Sequence, residues 1–330
     1  MIALVTGGTG FLGGALTRRL HGMGAQVTAL GRNPRALACL EKQHIPALHA
    51  DLADTQAIID ACRDQEIVFH CGALSAPWGK LQDFYNANVA GTENIVRGCE
   101  EHHVKRLVYV STPSIYFGYK PRFNVREDAA LPIKPANEYA RTKRMAEAVV
   151  DDAFRRGLPV ITIRPRAIFG PGDQALLPRL IERLQKADLR IIGSGHTLAD
   201  LTYVENVVDA LLLCAQSPAD TLGKKYNITN GEQVELWDIV KSLADALGFP
   251  APQKHISYKL MDSLARMVEI TYSMLPGQPE PPLTRYSVGV LALGFTLDIS
   301  AAEHDLGYRS RVSIQEGLEE VIKSWKETHA

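Results

Sequence analysis

An excess of either charge is missing from this sequence. Its 330 residues carry 36 Lys and Arg against 37 Asp and Glu, a formal net charge of −1. Binding a phosphate backbone needs a basic surplus, so nucleic acid is not an expected partner. Long apolar runs are missing as well. No stretch reaches the roughly 18 residues of a membrane span, and the opening Met1-Ile2-Ala3-Leu4-Val5-Thr6-Gly7 has no basic region of the kind that starts a signal peptide. Cysteine is sparse. The five residues Cys39, Cys62, Cys71, Cys99 and Cys214 are scattered, odd in number and form no CxxC. That pattern argues against a zinc ribbon or a disulfide scaffold, predicts no metal site and fits a reducing cytoplasm. Acid is absent from one place where it would matter: no Asp or Glu occurs from Gly14 through Leu40.

What is present is ordinary globular composition, 46% hydrophobic and 22% charged, and a rhythm. Ile2–Val5 reads as a buried strand. The stretch from Phe11 to Met23 reads as a helix, with Leu12, Leu16 and Leu20 on one face. Strand candidates follow at residues 26–30, 47–50, 66–70, 106–110 and 160–164, each but the last followed by a helical pattern. Strands alternating with helices predict right-handed βαβ units and an α/β fold with a Rossmann-type, doubly wound parallel sheet. Beyond Pro171 the rhythm loosens. Helical patterns run over 203–216 and 236–247, and Pro and Gly cluster at 250–252 and 276–282. The expected division is a sheet domain over residues 1–170, with later segments returning to it, and a smaller, mainly helical substrate lobe over 171–330. Ligands of such folds bind outside the carboxyl ends of the strands, which places a cleft between the two parts.

Thr6-Gly7-Gly8-Thr9-Gly10-Phe11-Leu12-Gly13 closes the first strand and opens the first helix. A glycine at 7 permits the tight turn, one at 10 lets backbone approach a pyrophosphate, and one at 13 lets helix and strand pack closely. The helix N-terminus adds free N–H donors. Gly7, Thr9, Gly10, Phe11, Leu12 and Gly13 are therefore the expected dinucleotide cradle. An NAD site wants an acid at the end of the second strand. Here Gly31 leaves space, and Arg32 and Arg35 offer charge for a 2′-phosphate, so NADP(H) is expected over NAD(H). Asp51-Leu52, after the third strand, lies where an adenine edge would be; Asp51 accepts the adenine amino group, caps the next helix, or both. Gly72 and Ala73, after the fourth strand, let the adenosine pass close to backbone. His70 is expected to be packed, and Cys71 to be a small buried residue rather than a nucleophile.

Two Tyr-x-x-x-Lys pairs occur. Tyr116…Lys120 contains Gly118 and precedes Pro121, so it should not be helical. Tyr139…Lys143 continues into strong helix formers, which stacks the two side chains on one face. A lysine ammonium one turn away would lower the phenol pKa, so Tyr139 is the candidate general acid or base. Lys143 would also reach a nicotinamide ribose. A hydroxyl should hold the same substrate oxygen, and Ser111, Thr112 and Ser114 all lie near the end of the fifth strand.

Gly7-x-x-Gly10-x-x-Gly13, Asp51-Leu52, Asn88-Val89-x-Gly91-Thr92, Tyr139-x-x-x-Lys143 and Arg164-Pro165 occur in that order. Over essentially its whole length the chain resembles an extended short-chain dehydrogenase/reductase. The resemblance implies a catalytic Ser or Thr two positions after the apolar run of the fifth strand, which is Thr112, with Ser111 and Ser114 as neighbours able to substitute. It implies that Asn88 orders a helix and a water near the site, places Pro165 and Ile168 beside the cofactor, and suggests homodimerisation through paired helices.

Within that family, Arg164-Pro165-Arg166-Ala167-Ile168-Phe169-Gly170-Pro171-Gly172-Asp173 carries Ala167 where sugar-nucleotide epimerases and dehydratases carry Asn. This run is similar to the 3β-hydroxysteroid dehydrogenase branch, as are Tyr203-Val204-Glu205-Asn206 and Pro281-Pro282-Leu283-Thr284-Arg285. Ser111–Ser114 and Gly172–Arg179 most resemble bacterial 2-alkyl-3-oxoalkanoate reductases, which act in long-chain olefin biosynthesis. The expected function is an NADPH-dependent reductase of a hydrophobic 3-oxo compound, or 3β-hydroxyl oxidation in reverse. Tyr116-Phe117-Gly118 resembles the sugar enzymes, which keeps an epimerase or dehydratase as the alternative; a non-catalytic NADP(H) sensor is a second. The Met-rich apolar pattern over 259–275 would cover a lipid chain or pack against the sheet.

Overall fold

In the computed structural model, which describes residues 1–329, seven strands build the main sheet. They are β1 (Ile2–Thr6), β2 (Gln26–Gly31), β3 (Ala47–His49), β4 (Ile67–His70), β5 (Arg106–Val110), β7 (Val160–Pro165) and β12 (Lys225–Ile228). All pair in parallel, in the order β12-β7-β5-β4-β1-β2-β3. The inner strands are buried on both faces, which is why they read as short continuous apolar runs rather than alternating ones. The chain moves from β1 out to β3 and then returns to place β4 beside β1. That reversal opens a crevice at the carboxyl ends of β1 and β4, where the loops diverge.

Six helices accompany the first strands: α1 (Phe11–Gly22), α2 (Pro34–Glu41), α3 (Thr55–Ala61), α4 (Leu81–Phe84), α5 (Gly91–Glu101) and α6 (Glu138–Arg155). α3, α5 and α6 cover one face through Ile58, Ile95, Ala146 and Val150. α1 covers the other through Leu12, Leu16 and Leu20, the residues with the four-residue repeat. Beside α1 lies a helix from much later in the chain, α8 (Val204–Gln216), following α7 (Leu177–Gln185). β12 and α8 both complete the main sheet from beyond residue 200.

The remaining chain forms α9 (Leu236–Leu247), α10 (Tyr258–Met274), α11 (Arg285–Ala292), α12 (Ser300–Leu306) and α13 (Ile314–His329). It also forms strands, and so is less purely helical than its sequence suggests. β6 (Arg122–Val125), β10 (Leu198–Asp200), β13 (Gln233–Glu235) and β15 (Phe295–Leu297) make a second sheet in the order β13-β10-β15-β6. β8 (Ile168–Phe169) pairs with β11 (Thr202–Tyr203), and β9 (Ile191–Ile192) with β14 (His255–Ile256). Strands of two to four residues are too short to leave a periodic signal.

α10 contributes Ala265, with Met261 packed beside it, to the cluster that holds Ile191 and Ile192 of β9 and Trp237 of α9. It lies against α11 and buries only Ala265 of its seventeen residues. Leu260, Leu264, Met267, Ile270 and Met274 form an apolar face open to solvent, with Met267 60% and Met274 79% exposed. Among the described residues no helix is long and apolar enough to cross a membrane.

Candidate active site

The glycine loop is closed so tightly that side chains are excluded from it. Gly7 has φ +67°, and a Cβ there would lie 2.8 Å from Cα of Gly72 across the switch point. A Cβ on Gly13 would run into the Gly7 carbonyl oxygen. α1 begins at Gly10 with no side-chain cap and no acidic residue in its first turn, so its leading N–H groups stay available to an anion. This bare cradle at the carboxyl edge of β1 fits a dinucleotide diphosphate.

At the end of β2 the space left by Gly31 is taken by Thr9, whose side chain occupies the position a Cβ would fill. Arg32 is exposed and pairs with Asp51 at 3.2 Å. Asp51 also accepts the Ala53 N–H at 2.9 Å, and this backbone bond, with Arg32 adding to it against some desolvation, holds its carboxyl below the usual range. Asp51 does not cap α3; that role belongs to Asp54, which accepts the Ala57 N–H. Leu52 packs under Gly72 and Gly91, where Cβ atoms would come within 3.0 and 2.7 Å of it. The glycine of Asn88-Val89-x-Gly91 is thus a close-packing residue.

His70 and Asn88 pin the crossover. The His70 ring lies between the hydroxyls of Thr6, at 2.7 Å, and Thr92, at 3.0 Å. Thr92 donates to the Asn88 carbonyl, so Nε2–H of His70 donates to Thr92 and Nδ1 accepts from Thr6. Burial, reinforced by the Lys143 charge, pushes His70 down to about 3 and keeps it neutral. Burial likewise pushes the Cys71 thiol up to about 12, which makes it inert. Asn88 sits in a π-helical turn (Tyr85–Ala90) and clasps the Leu74 backbone, accepting its N–H at 2.7 Å and donating to its carbonyl at 3.0 Å. It also donates to the Thr142 hydroxyl at 3.1 Å. Through these bonds it orders the loop after β4, which carries Ala73 and Ser75.

α6 starts where Asn137 accepts the Ala140 N–H, and this fixes Tyr139 in its first turn. The Tyr139 hydroxyl faces the hydroxyls of Ser75 and Thr112, whose polarity favours its ionised form. Of the three hydroxyls after β5, only Thr112 has this role. Ser111 donates to buried Glu147 at 2.5 Å, and Ser114 pairs with the Tyr286 hydroxyl at 2.7 Å. Thr112 donates in turn to Ser114 at 3.1 Å. A chain of hydrogen-bonded hydroxyls therefore runs from Thr112, which faces Tyr139, through Ser114 to Tyr286.

Lys143 is placed one turn after Tyr139 but does not lower the phenol. Its Nζ donates to the Val110 carbonyl at 2.7 Å and lies 4.3 Å from the centre of the Tyr109 ring. Burial brings it down to about 7, against the opposing pull of Glu147 one turn further on. Tyr139 stands above its ordinary value because it is buried, and the groups that oppose the rise are Ser75 and Thr112. Pro165 ends β7, which pairs with β5, and Ile168 opens β8, which pairs with β11 outside the main sheet.

Below the hydroxyls lies a buried ion pair. Arg164 donates to Glu147 through Nε at 2.8 Å and Nη2 at 2.5 Å, and also bonds the Tyr116 hydroxyl. Tyr116 of the first Tyr-x-x-x-Lys pair is thus a buried strut, in a 3₁₀ turn that ends at it. Sequence reading missed Ser75, Tyr286 and Glu147. Ser75 lay two residues beyond the small-residue run it extends, and Tyr286 directly follows Arg285 of the Pro281–Arg285 motif; neither position shows by spacing alone what it faces.

Residues 3–229 match the NAD dependent epimerase/dehydratase family. The chain belongs to this family, as an NAD(P)-dependent oxidoreductase of the extended short-chain dehydrogenase/reductase type. It is 38% identical over 325 residues to a 2-alkyl-3-oxoalkanoate reductase of Stenotrophomonas maltophilia, covering 96% of this chain and 97% of that one. A sterol-4-alpha-carboxylate 3-dehydrogenase (decarboxylating) of Mus musculus is 29% identical over 330 residues, covering 98% and 90%. Among solved structures, MoeE5 in complex with UDP-glucose and NAD superposes with a TM-score of 0.78 at 26% identity, with both chains fully covered.

Proposed function

We propose that this protein is an NADPH-dependent reductase of a hydrophobic 3-oxo compound of the 2-alkyl-3-oxoalkanoate type, running in reverse as a 3β-hydroxy dehydrogenase. The observation that carries the reading is the Tyr139–Thr112–Ser75 hydroxyl cluster at the carboxyl edge of the sheet that also holds the glycine cradle. The cradle (Gly7, Thr9, Gly10, Phe11, Leu12, Gly13), with Asp51, Leu52, Gly72 and Ala73, would hold the dinucleotide, and Lys143 its nicotinamide ribose. A bound nicotinamide supplies or accepts hydride. Tyr139 gives its phenolic proton to the ketone oxygen as charge builds there. Thr112 turns its hydroxyl proton from Ser114 to the same oxygen and donates a hydrogen bond there, and Ser75 fixes the direction of the phenol. Both relatives are named for substrates whose carboxylate carbon is attached beside carbon 3, which supports the 3-oxo acid class. The direct test is oxidation of NADPH by a long-chain 2-alkyl-3-oxo acid; absence of consumption would overturn the reductase reading.

The sugar-nucleotide reading is weaker at one residue. Ala167 keeps a left-handed backbone, φ 44°, which suits asparagine better than alanine, but it has no amide to offer a ligand. An epimerase or dehydratase would retain its cofactor through purification and show no net consumption.

Preference for NADPH is supported by the lack of an acid at the end of β2 and by exposed Arg32. Hydrogen bonds to charged groups contribute about 1.5–3 kcal/mol, so Arg32→Ala should weaken NADPH relative to NADH by roughly tenfold or more in a fluorescence titration. An unchanged ratio removes Arg32 from cofactor choice. The open apolar face of α10 supports a lipid substrate. Leu264→Gln with Met267→Gln, both on exposed positions, should leave folding intact and flatten the dependence of kcat/KM on chain length. A chain-length profile like that of the wild type would rule out contact between this face and the substrate.

A further inference from the structure

Two arginines two residues apart leave the end of β7 in opposite electrostatic conditions. Arg164 has Glu147 on two nitrogens. Arg166 is desolvated, yet among the described residues no carboxylate oxygen lies within ion-pair distance of its guanidinium, and its buried Nε has no hydrogen-bond partner. The guanidinium stacks 4.4 Å from the centre of the Phe295 ring. Asp200, the acid that acts on it electrostatically, is committed elsewhere, accepting the Leu297 N–H at 2.6 Å. A half-buried guanidinium without a bonded anion is costly, and its planar fork matches a carboxylate in two bonds.

Its location selects the anion. Phe117 lies between the Phe295 ring, 6.3 Å away, and the Tyr286 ring, 5.5 Å away, and the Tyr286 hydroxyl bonds Ser114, which accepts from Thr112. Arg166 thus stacks on the aromatic cluster that carries Tyr286 to the catalytic hydroxyls, just past the carboxyl end of β7. In a 3-oxo acid a single carbon separates the ketone carbon from the carboxylate. A receptor for that carboxylate has to be a near neighbour of the groups that hold the ketone oxygen.

We propose that Arg166 is the carboxylate anchor of the substrate subsite, taking the free acid of a 3-oxo acid while Tyr139 and Thr112 engage its ketone. The assignment rests on the reductase reading for its chemistry, and makes the enzyme selective for acids over their esters. Arg166 is here a specificity-determining residue that touches substrate at a distance from the reacting atoms.

The test is calorimetric titration of the NADP⁺-loaded protein with a 2-decyl-3-hydroxytetradecanoic acid and with its methyl ester. Wild type, Arg166→Gln and Arg166→Lys are compared, with KM and kcat for the corresponding 3-oxo acid. Arg166→Gln should weaken the acid roughly 10–100-fold and leave the ester within about twofold. KM should rise while kcat at saturation stays within several-fold. Arg166→Lys keeps a cation over Phe295, and so keeps the fold if that stack is structural. It should bind the acid more weakly than wild type but more tightly than the ester. Equal losses for acid and ester, or acid binding unchanged in Arg166→Gln, would overturn the anchor. If wild type consumes no NADPH with the 3-oxo acid, the reductase reading fails, and the titration still decides the subsite: acid-selective binding that depends on Arg166 upholds it, and its absence refutes it.

Discussion

Tyr139→Phe should lower kcat for ketone reduction by about 10²–10⁴-fold, the range typical of a lost general acid, while cofactor affinity stays within about twofold. The phenyl ring keeps the packing of Tyr139 beside Phe84, 6.5 Å between ring centres, so the fold should be undisturbed. What disappears is the proton donor that faces Ser75 and Thr112. Neither hydroxyl can replace it, because each has a far higher intrinsic proton affinity than a phenol. Stopped-flow oxidation of NADPH measures the loss, and a cofactor titration provides the control. Turnover near that of wild type would remove Tyr139 from the chemistry. Thr112→Val provides a graded comparison, since it deletes one hydrogen bond to the oxygen and leaves the proton donor in place.

Glu147→Gln should destabilise the protein by about 3–5 kcal/mol, the usual consequence of removing one partner from a buried ion pair. The carboxylate serves three groups at once. It holds the Arg164 guanidinium in two bonds, accepts from Ser111 and favours the charged form of Lys143. An amide can still accept from Ser111 but leaves Arg164 as an uncompensated cation in a dry interior, with Tyr116 and the Glu127 carbonyl as its remaining acceptors. Urea unfolding followed by circular dichroism gives the difference. Glu147→Leu combined with Arg164→Met should recover much of it, because the penalty is an unpaired charge rather than a lost attraction. A single variant within about 1 kcal/mol of wild type would show that water or backbone already satisfies Arg164.

The sequence was most legible where structure is local and repetitive. The buried parallel strands, the Leu12–Leu16–Leu20 face of α1 and the glycine loop each follow from spacing and from the need to close a turn without Cβ atoms. The long α10 was legible as an amphipathic helix, but which way its apolar face turns depends on what lies beside it. That is a tertiary fact: Ala265 packs inward, and the larger apolar side chains from Leu260 to Met274 face solvent. The same limit applied to the site. Tyr139 and Lys143 stack on one face because a helix demands it. Whether the ammonium acts on the phenol depends on the Val110 carbonyl, which reaches Lys143 from another element. Arg32 and Asp51 were each assigned a ligand separately, whereas the fold brings them together. Ser75 could not be found from pattern at all, since a loop serine carries no signal until Asn88 anchors the loop beneath it.

The route of the chain through its main sheet bears on how the protein is made. Strand β7 ends at Pro165, but its outer neighbour β12 begins only at Lys225, and α8, which shields one face, lies between them. While that intervening stretch is synthesised, a few seconds at roughly 5–20 residues per second, the nascent sheet presents an open edge and an uncovered apolar surface. Unpaired edges of this kind invite association with other chains. For the β7 edge the hazard therefore falls on the ribosome, before the later segment arrives; in the finished molecule β12 pairs that edge and α8 covers the face.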